Sequence, residues 1–548
     1  MSKAYTLKNI LEKSVERYSS KIALKDNLHS GITYEQLLQN SKKIGFWMAQ
    51  NGIMKTEKAA ILSENSINWV NAFWGIVCMG AVVVSILPDF SIREINHVLK
   101  HSDAKLLFIS KKYYIKHKDK LEFGGLIIIM EPSIMRHNNT NILDVPEKKE
   151  YTDFETEEIL SEDVANIIYT SGTTGNPKGV MLTNENLCYE IQKVLIVQDV
   201  VSSDIFLSLL PLSHVYENVL GMILPISQGA SIFYNNKPPI PSVLLETMQQ
   251  VRPTMILTVP LIMEKIYFSK IIPVINKKKF IKYAYNIWPV RYILNKKAGK
   301  KLKKAFGGRL RFLGVGGAAL NPKVERFLRD AAFPYSCGYG LTETSSLIFA
   351  SKVGKVKFQS VGKPLNGLEY RVVRSDYKQD VGEIVVKWNG TMKGYYKDPV
   401  LTSNVLTSGS WFHTGDLAQM ENGNLYLRGR SKTMILGPSG ENIYPEEIES
   451  IINKMEGVIE SLVYEVKGKI LAKVYLNIDE LSKKYGFLKE SAKYHSADVH
   501  NQISQYLKEM RNNLNSHLNK YSQISKLELV HQPFEKTPTH KIKRHIHK

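Results

Sequence analysis

Cysteine is scarce. Cys78, Cys188 and Cys337 are the three in 548 residues, and they stand far apart, with neither paired nor metal-ligand spacing. A disulfide framework and a cysteine-based metal centre are thereby excluded. The start lacks a charged and then apolar signal segment, and with the scattered thiols this points to the reducing cytoplasm. A clean apolar run of membrane-spanning length is also lacking. The nearest approach, Trp69 to Pro88, is interrupted by Asn71, Gly75 and Gly80, so it is expected as a buried helix running into a buried strand from Ala81 to Leu87. Between Lys277 and Arg311 there is no Asp or Glu at all, while thirteen Lys or Arg residues supply more than half of the net charge of +21. Phe280, Tyr283, Tyr285, Ile287, Trp288, Tyr292, Ile293 and Leu294 are interleaved with them. Cations mixed with Trp, Tyr and aliphatics suit an anionic bilayer surface, and a solvated helical face is the plainer reading. Nucleic acid is not expected, because no nucleic-acid-binding fold pattern accompanies the charge. A Ser/His/Asp array for nucleophilic catalysis is missing too.

What is present begins with size. At 548 residues the chain exceeds one ordinary core, so at least two domains are expected. Leu7, Ile10, Leu11, Val15 and Tyr18 have helical spacing. After them strands (Lys58–Leu62, Ala81–Leu87, Ala104–Ile109) alternate with helices (around Trp69, and Ile92–His101). That alternation predicts a largely parallel, doubly wound sheet. Residues Pro132 to Glu158 are polar and acidic and read as a connection.

That connection leads to IIYTSGTTGNPKGVMLT, Ile167 to Thr183. The β-branched run ending at Tyr169 predicts one strand and Val180–Leu182 a second. Between them lie Thr170, Ser171, Gly172, Thr173, Thr174, Gly175, Asn176, Pro177, Lys178 and Gly179. Three glycines let backbone N–H groups approach an anion closely. Four hydroxyls add donors, and Lys178 adds a positive charge. The loop suits a polyphosphate. It is not a Walker loop, which needs Ser or Thr after the lysine and then a helix, so a hairpin is expected.

Downstream, the strand Phe206–Leu210 ends in PLSHVYE, Pro211 to Glu217, a turn at the sheet edge where α/β ligands bind. An apolar helix is expected over Gly221–Ala230 and a strand over Val251–Pro260. RFLGVGGAAL, Arg311 to Leu320, is a strand running into glycines, and the bare backbone at Gly316, Gly317 and Ala318 can lie flat against a planar base. YGLTET, Tyr339 to Thr344, sets one carboxylate between two hydroxyls, as a magnesium nucleotide requires. SWFHTGD, Ser410 to Asp416, is expected to place a carboxylate in a turn, where it can hold a ribose. ILGPSGEN, Ile435 to Asn442, reads as a glycine-rich hairpin, followed by a helix from Pro445, two strands and a longer helix from Ser496. The chain ends KTPTHKIKRHIHK.

The Ile167–Thr183 segment closely resembles the phosphate-binding signature of adenylate-forming enzymes, the acyl-CoA synthetase and luciferase-like superfamily. PLSHVYEN is similar to the form found in its bacterial long-chain fatty acid–CoA ligases. The resemblance implies an α/β fold with a large N-terminal domain of doubly wound sheets plus a β-barrel-like part, residues 1–430. A small mobile α+β C-terminal domain, 431–548, follows. ATP, Mg²⁺ and coenzyme A are the implied cofactors and co-substrates, and a medium- to long-chain fatty acid the substrate. Thr170, Ser171, Gly172, Thr173, Thr174 and Lys178 would hold the β- and γ-phosphates. Tyr339 would pack on adenine, Thr342 touch the α-phosphate and Glu343 hold the metal. Asp416 would bind the ribose, Arg430 ribose and phosphate, and His214 would line the acyl pocket. Lys432 would be the hinge, and the Gly437–Gly440 hairpin would meet the pantetheine arm. His540 stands where the family has a glycine, and the matching catalytic lysine is Lys541, with Lys543 its close neighbour. The implied reaction forms acyl-AMP and pyrophosphate, then the thioester. An aryl-acid CoA ligase and an acyl-AMP ligase that loads a carrier protein are the rivals. A non-catalytic acyl-binding protein is disfavoured by Thr342, Glu343, Asp416, Arg430 and Lys541 together. The expected location is the cytoplasm, with attachment to the inner membrane face through Lys277–Arg311 as a further reading.

Overall fold

The computed structural model describes residues 5–28, 30–132, 134–138, 140–144, 157–170, 176–235, 240–276, 279–374, 380–436, 442–466, 468–478, 481, 497–519, 522–536 and 542–547. The chain divides into two compact units, the first comprising Met1–Tyr370, Val386–Phe412 and Asn422–Leu425.

Among the described residues, the first unit is built on two nine-stranded sheets. In one, Leu126–Glu131, Leu106–Ser110, Lys58–Leu62, Val82–Ser85 and Val164–Thr170 run parallel in that spatial order. Their residues are apolar on both faces, as strands covered by helices on each side must be. The helix Ile67–Cys78, capped by Ser66, is buried at every residue, and the strand Val82–Ser85 follows it, also buried throughout. The Trp69–Pro88 segment is thus core, and no helix among the described residues is long and apolar enough to cross a membrane. Gly75 makes this packing possible, since a Cβ there would lie 2.5 Å from Ile44 of the helix Tyr34–Gln50. The expected connection over Pro132–Glu158 instead adds two short antiparallel edge strands, Ile134–His137 and Thr140–Asn141. Such edge pairing needs no hydrophobic alternation to form, which is why composition hid it.

In the other sheet, Tyr335–Tyr339, Phe312–Val315, Met255–Thr258, Ile205–Ser208, Ser231–Tyr234 and Ile22–Asp26 are neighbours in that order, all parallel. The apolar stretch expected as a helix over Gly221–Ala230 starts earlier. It opens as a π-helix, Glu217–Ile223, and passes into Leu224–Ser227. The helix Trp288–Ala305 buries a stripe of Asn295, Gly299 and Leu302. At Gly299 a Cβ would lie 2.5 Å from that of Ala331, just after the helix Pro322–Asp330.

A five-stranded sheet of Glu369–Val373, Gly382–Lys387, Trp411–Glu421, Leu406–Thr407 and Asn424–Arg430 forms the β-rich part. The second unit collects Arg371–Val385, His413–Glu421 and Tyr426–Lys548. Its own sheet pairs Val458–Val466 antiparallel with Lys469–Leu476, and Lys526–Val530 parallel with the latter. The helices Pro445–Ile452 and Ala497–Ser516 contribute Ile448, Ile452, Met510 and Leu514 to the core beneath it.

Candidate active site

The expected hairpin forms. Val164–Thr170 and Lys178–Thr183 pair antiparallel, with Thr170 opposite Lys178 and Tyr169 opposite Gly179. A Cβ on Gly179 would lie 2.8 Å from Ile167, so close packing of the hairpin requires glycine there. Ser171, Gly172, Thr173 and Thr174 lie outside the described residues. Thr170 Oγ1, at the strand end, is buried and has no hydrogen-bond partner among the described residues. A buried orphan hydroxyl is the kind of group a ligand satisfies.

Lys178 meets Glu343 and Tyr395. Its Nζ lies 3.2 Å from Glu343 Oε1 and donates to the Tyr395 phenol oxygen at 2.6 Å, and that hydroxyl donates to Glu343 Oε1 at 2.8 Å. Three segments far apart in sequence converge. Tyr395 belongs to the short strand Gly394–Tyr395, which pairs with the Lys178 strand. Burial works against the charge on Glu343, but Lys178 and Tyr395 outweigh it and hold the carboxyl below its usual range. Glu343 therefore stands ionised with a cation beside it.

The turn that presents Glu343 is held from several sides. It is a short 3-10 segment, Thr342–Thr344, at the end of the strand Tyr335–Tyr339. The Met392 N–H donates to the Glu343 carbonyl at 2.8 Å, and Ser345 Oγ to the Gly390 carbonyl at 2.7 Å. Ser345 and Ser346 have φ of 60° and 123°, strained for non-glycine residues. The chain is kept there by Glu190, a fully buried carboxyl accepting from the Leu347 N–H at 2.7 Å and from Trp388 Nε1 at 3.3 Å. Gly340 is obligatory, because a Cβ would fall 1.6 Å from the Ser346 carbonyl oxygen. Neither Tyr395 nor Glu190 was singled out in the sequence. Each is one ordinary residue in an ordinary element, and only the fold brings it to the site.

A metal can be tested against this geometry. Among the described residues no group of three His, Cys, Asp or Glu could hold an ion. A single available carboxylate fits Mg²⁺, which takes its other ligands from phosphates and water.

The ends of the parallel strands supply the remaining surface. The strand Phe312–Val315 leads into Gly316, Gly317 and Ala318, beside the end of the Tyr339 strand. A Cβ on Gly316 would meet the Tyr216 ring at 3.2 Å, whereas one on Gly317, at φ +85°, would find only Val259, at 3.7 Å. The small residues thus make room for Tyr216 as well as leaving open backbone. Tyr339 is buried, its ring 6.3 Å from that of Phe349. His214 closes a turn through its N–H to the Pro211 carbonyl at 2.9 Å. Asn65 fixes this turn, donating to Ser208 Oγ and the Leu210 carbonyl and accepting from the Leu212 N–H. His214 Nδ1 accepts from the Tyr216 N–H at 3.3 Å. Glu217, three residues on, is buried beside Ser208 and Leu210, and burial pushes its carboxyl up to about 8. Burial pushes the Cys337 thiol up to about 12, which disfavours a nucleophilic thiolate there.

In the second unit Asp416 lies within the strand Trp411–Glu421, kinked at Gly415 with φ +69°. This corrects the expected turn. The glycine in HTGD bends an extended strand rather than reversing it. Arg430 Nε sits 2.8 Å from Asp416 Oδ1, so these two candidates form an ion pair, and the Asp416 N–H donates to Thr414 Oγ1 at 3.1 Å. Lys432 falls in the 3-10 segment Ser431–Thr433. The strands Ile435–Leu436 and Asn442–Ile443 pair as the expected hairpin, and its tip, with Gly437 and Gly440, lies outside the described residues. So does Lys541. Lys536 and Ile542, described on either side of it, form an antiparallel bridge. Lys543 Nζ is engaged with Glu535 Oε1 at 2.8 Å.

Comparison with known proteins identifies the family. The AMP-binding enzyme family matches residues 11–396. Fatty acyl-CoA synthetase A of Dictyostelium discoideum is 26% identical over 99% of this chain and 89% of its own length. A chloroplastic long-chain-fatty-acid–[acyl-carrier-protein] ligase of Arabidopsis thaliana is 27% identical over 83% of this chain and 74% of its own length. The crystal structure of the anthranilate CoA ligase AuaEII with anthranoyl-AMP superposes with a TM-score of 0.76 at 21% identity, covering 99% of this chain and 96% of that one. The chain belongs to the AMP-binding enzyme family, adenylate-forming acid ligases whose co-substrates are ATP with Mg²⁺ and, in the CoA-ligase members, coenzyme A.

Proposed function

We propose that the protein activates a medium- to long-chain fatty acid with ATP, releasing pyrophosphate, and transfers the acyl group from acyl-AMP to coenzyme A. The observation that carries this reading is the meeting of Lys178, Glu343 and Tyr395 at the mouth of the phosphate hairpin. A carboxylate is a poor electrophile, because its oxygen leaves badly. Attack on the α-phosphate turns that oxygen into part of AMP. Both reactants are anions, so the barrier is largely electrostatic, and fixed cations and donors aimed at the developing charge lower it. Lys178 and Thr170, with the hairpin loop, take the β- and γ-phosphates. Thr342 donates to the α-phosphate. Mg²⁺, when bound on Glu343, supplies neutralisation of phosphate oxygens. Tyr339 and the Gly316–Ala318 backbone take adenine, and Asp416 and Arg430 the ribose. Lys541 bridges the carboxylate and the nucleotide. His214, held by Asn65, lines the acyl side. No general base is required, since the acid is already ionised.

The second half-reaction needs a thiol where Lys541 stood. In this reading residues 1–430 bind ATP and acid, and 431–548 form a mobile domain turning about Lys432. The turn carries Lys541 away and brings the Gly437–Gly440 hairpin to the pantetheine arm. A carrier protein as acyl acceptor is the second reading, supported by the similarity to the Arabidopsis carrier-protein ligase. A panel of acids from acetate to oleate, assayed with coenzyme A and with holo-carrier protein, tests both. Turnover of fatty acids with coenzyme A alone is expected. Preference for aryl acids, or for the carrier protein, would replace the proposal.

A further inference from the structure

The segment that lacks acidic residues forms a surface of its own. Tyr283, Ile287, Trp288, Tyr292 and Ile293 are 74%, 57%, 65%, 40% and 54% exposed, and no other stretch of the described residues exposes so many large apolar side chains so close together. Trp288 is exposed, whereas the other five tryptophans are buried or half-buried. The helix Trp288–Ala305 is anchored by its stripe of Asn295, Gly299 and Leu302 and by Arg291, paired with Asp330 at 3.3 Å. At 3.6 residues per turn, Pro289, Ile293, Lys297, Lys300 and Lys304 share the opposite face, and Lys296 lies on the flank. The Trp288 and Tyr292 rings lie 6.4 Å apart and 26° from parallel, and Lys296 Nζ is 5.7 Å from the Tyr292 ring. A row spaced one turn apart thus runs from indole to phenol to ammonium. The helix exposes aromatic and aliphatic side chains around its N-terminal end, with Trp288 beyond the end of the buried stripe and Tyr292 on its flank, and lysines along the outward face that follows.

Three occupants can be weighed by chemistry. A second copy would set lysine against lysine, with no acidic residue between Lys277 and Arg311 to offset the repulsion. A nucleic acid would use the lysines and leave Ile287 and Ile293 in water. A bilayer containing anionic phospholipid uses both kinds of group, since Trp and Tyr favour the headgroup interface and lysine the anionic headgroups. We propose that the surface from Tyr283 to Lys304 docks the protein on an anionic phospholipid membrane. Ile287, Trp288, Tyr292 and Ile293 enter the interface, and Lys296, Lys297, Lys300 and Lys304 rest on the headgroups. The inference does not depend on the proposed substrate, because none of these residues belongs to the adenylation site.

The test uses the full chain with phosphatidylcholine vesicles, with vesicles that also contain phosphatidylglycerol, and with duplex DNA. Binding is read by co-sedimentation, and insertion by quenching of tryptophan fluorescence with lipids brominated on the acyl chain. Binding is expected to rise with the phosphatidylglycerol fraction, to fall with salt, and to be accompanied by quenching that Trp288→Phe removes. Lys297→Gln with Lys300→Gln should weaken partition by about fivefold per lysine. Ile293→Ser should weaken it at unchanged charge. All these side chains are exposed, so melting temperature and pyrophosphate exchange measured without vesicles are expected to stay at the wild-type value. Vesicle binding without quenching, binding unaffected by the variants, binding to DNA but not to vesicles, or self-association that shields Trp288 without lipid would each overturn the proposal.

Discussion

Tyr395 is the residue through which the hairpin lysine and the Glu343 turn are joined. Its ring lies under Lys178 Nζ, 4.0 Å from the centroid, while its hydroxyl links that ammonium to the carboxylate. Tyr395→Phe keeps the ring and removes the link. Hydrogen bonds to charged groups contribute about 1.5–3 kcal/mol, so ATP–pyrophosphate exchange is expected to fall by about tenfold to a hundredfold. An unchanged exchange rate would show that the hydroxyl has no part in placing Lys178. Glu217 leads to a prediction about pH. Its folded carboxyl titrates at about 8 because burial disfavours the charge. Below the ordinary carboxylate range the group is neutral in both folded and unfolded chains, and there is no penalty. As pH rises towards 8 the unfolded chain releases the proton and the folded chain keeps it, so stability falls; beyond that it levels off. Glu217→Gln retains an acceptor for the Leu210 N–H and cannot ionise. Its melting temperature is therefore expected to exceed the wild-type value by a margin that grows from pH 5 to 8, which thermal melts across that range would measure. A constant margin would mean that the effect is packing, not charge. Tyr395 carried no signal in the sequence beyond its own identity, and Glu217 none beyond its place in the PLSHVYEN stretch.

At the scale of elements, the Glu343 turn shows how a strained segment is kept in place. The left-handed Ser345 and Ser346 would relax if their neighbours released them. Glu190, on the helix Asn184–Val197 that follows the hairpin, receives the Leu347 N–H just beyond them. Glu190→Ala should leave that N–H and Trp388 Nε1 unpartnered in the core, destabilising the fold by about 2–4 kcal/mol and raising KM for ATP. Glu190→Gln keeps one acceptor and should recover most of the stability. A pyrophosphate-exchange assay beside a thermal melt separates the two effects, and a loss of stability with KM unchanged would make Glu190 structural only. The strands and helices themselves were legible where periodicity was strong, as over Lys58–Leu62 and Leu7–Tyr18. The π-helix Glu217–Ile223 was not, because its wider winding is set by packing around Glu217 and Gly221 and not by a repeat in the sequence.

At the scale of the whole molecule, the proposed mechanism assigns the two half-reactions to different placements of the C-terminal domain. Lys432→Pro is expected to spare acyl-adenylate formation and suppress thioester formation, since proline fixes φ at the hinge. Equal loss of both half-reactions would count against a hinge at this position. Lys541→Ala is expected to abolish pyrophosphate exchange while leaving transfer from supplied acyl-adenylate largely intact. If Lys543→Ala does so instead, the pairing of Lys543 with Glu535 is broken in the working enzyme and the assignment moves to that lysine.

Local composition by itself determined the hairpin over Ile167–Thr183, the carboxylate between hydroxyls at Thr342–Thr344, the buried nature of Trp69–Pro88 and the basic aromatic character of Lys277–Arg311. Each of these is a property of neighbouring residues, and short-range backbone preferences or summed charge are enough to express it. Tertiary structure alone decided that Lys178 faces Glu343 through Tyr395, that Glu190 sits behind the Glu343 turn, that Asp416 lies in a strand paired with Arg430, and that Tyr216 fills the space beside Gly316. These depend on which strand ends lie side by side. Strand order follows from burying two sheets' worth of apolar surface at once, and no local stretch of sequence contains that constraint.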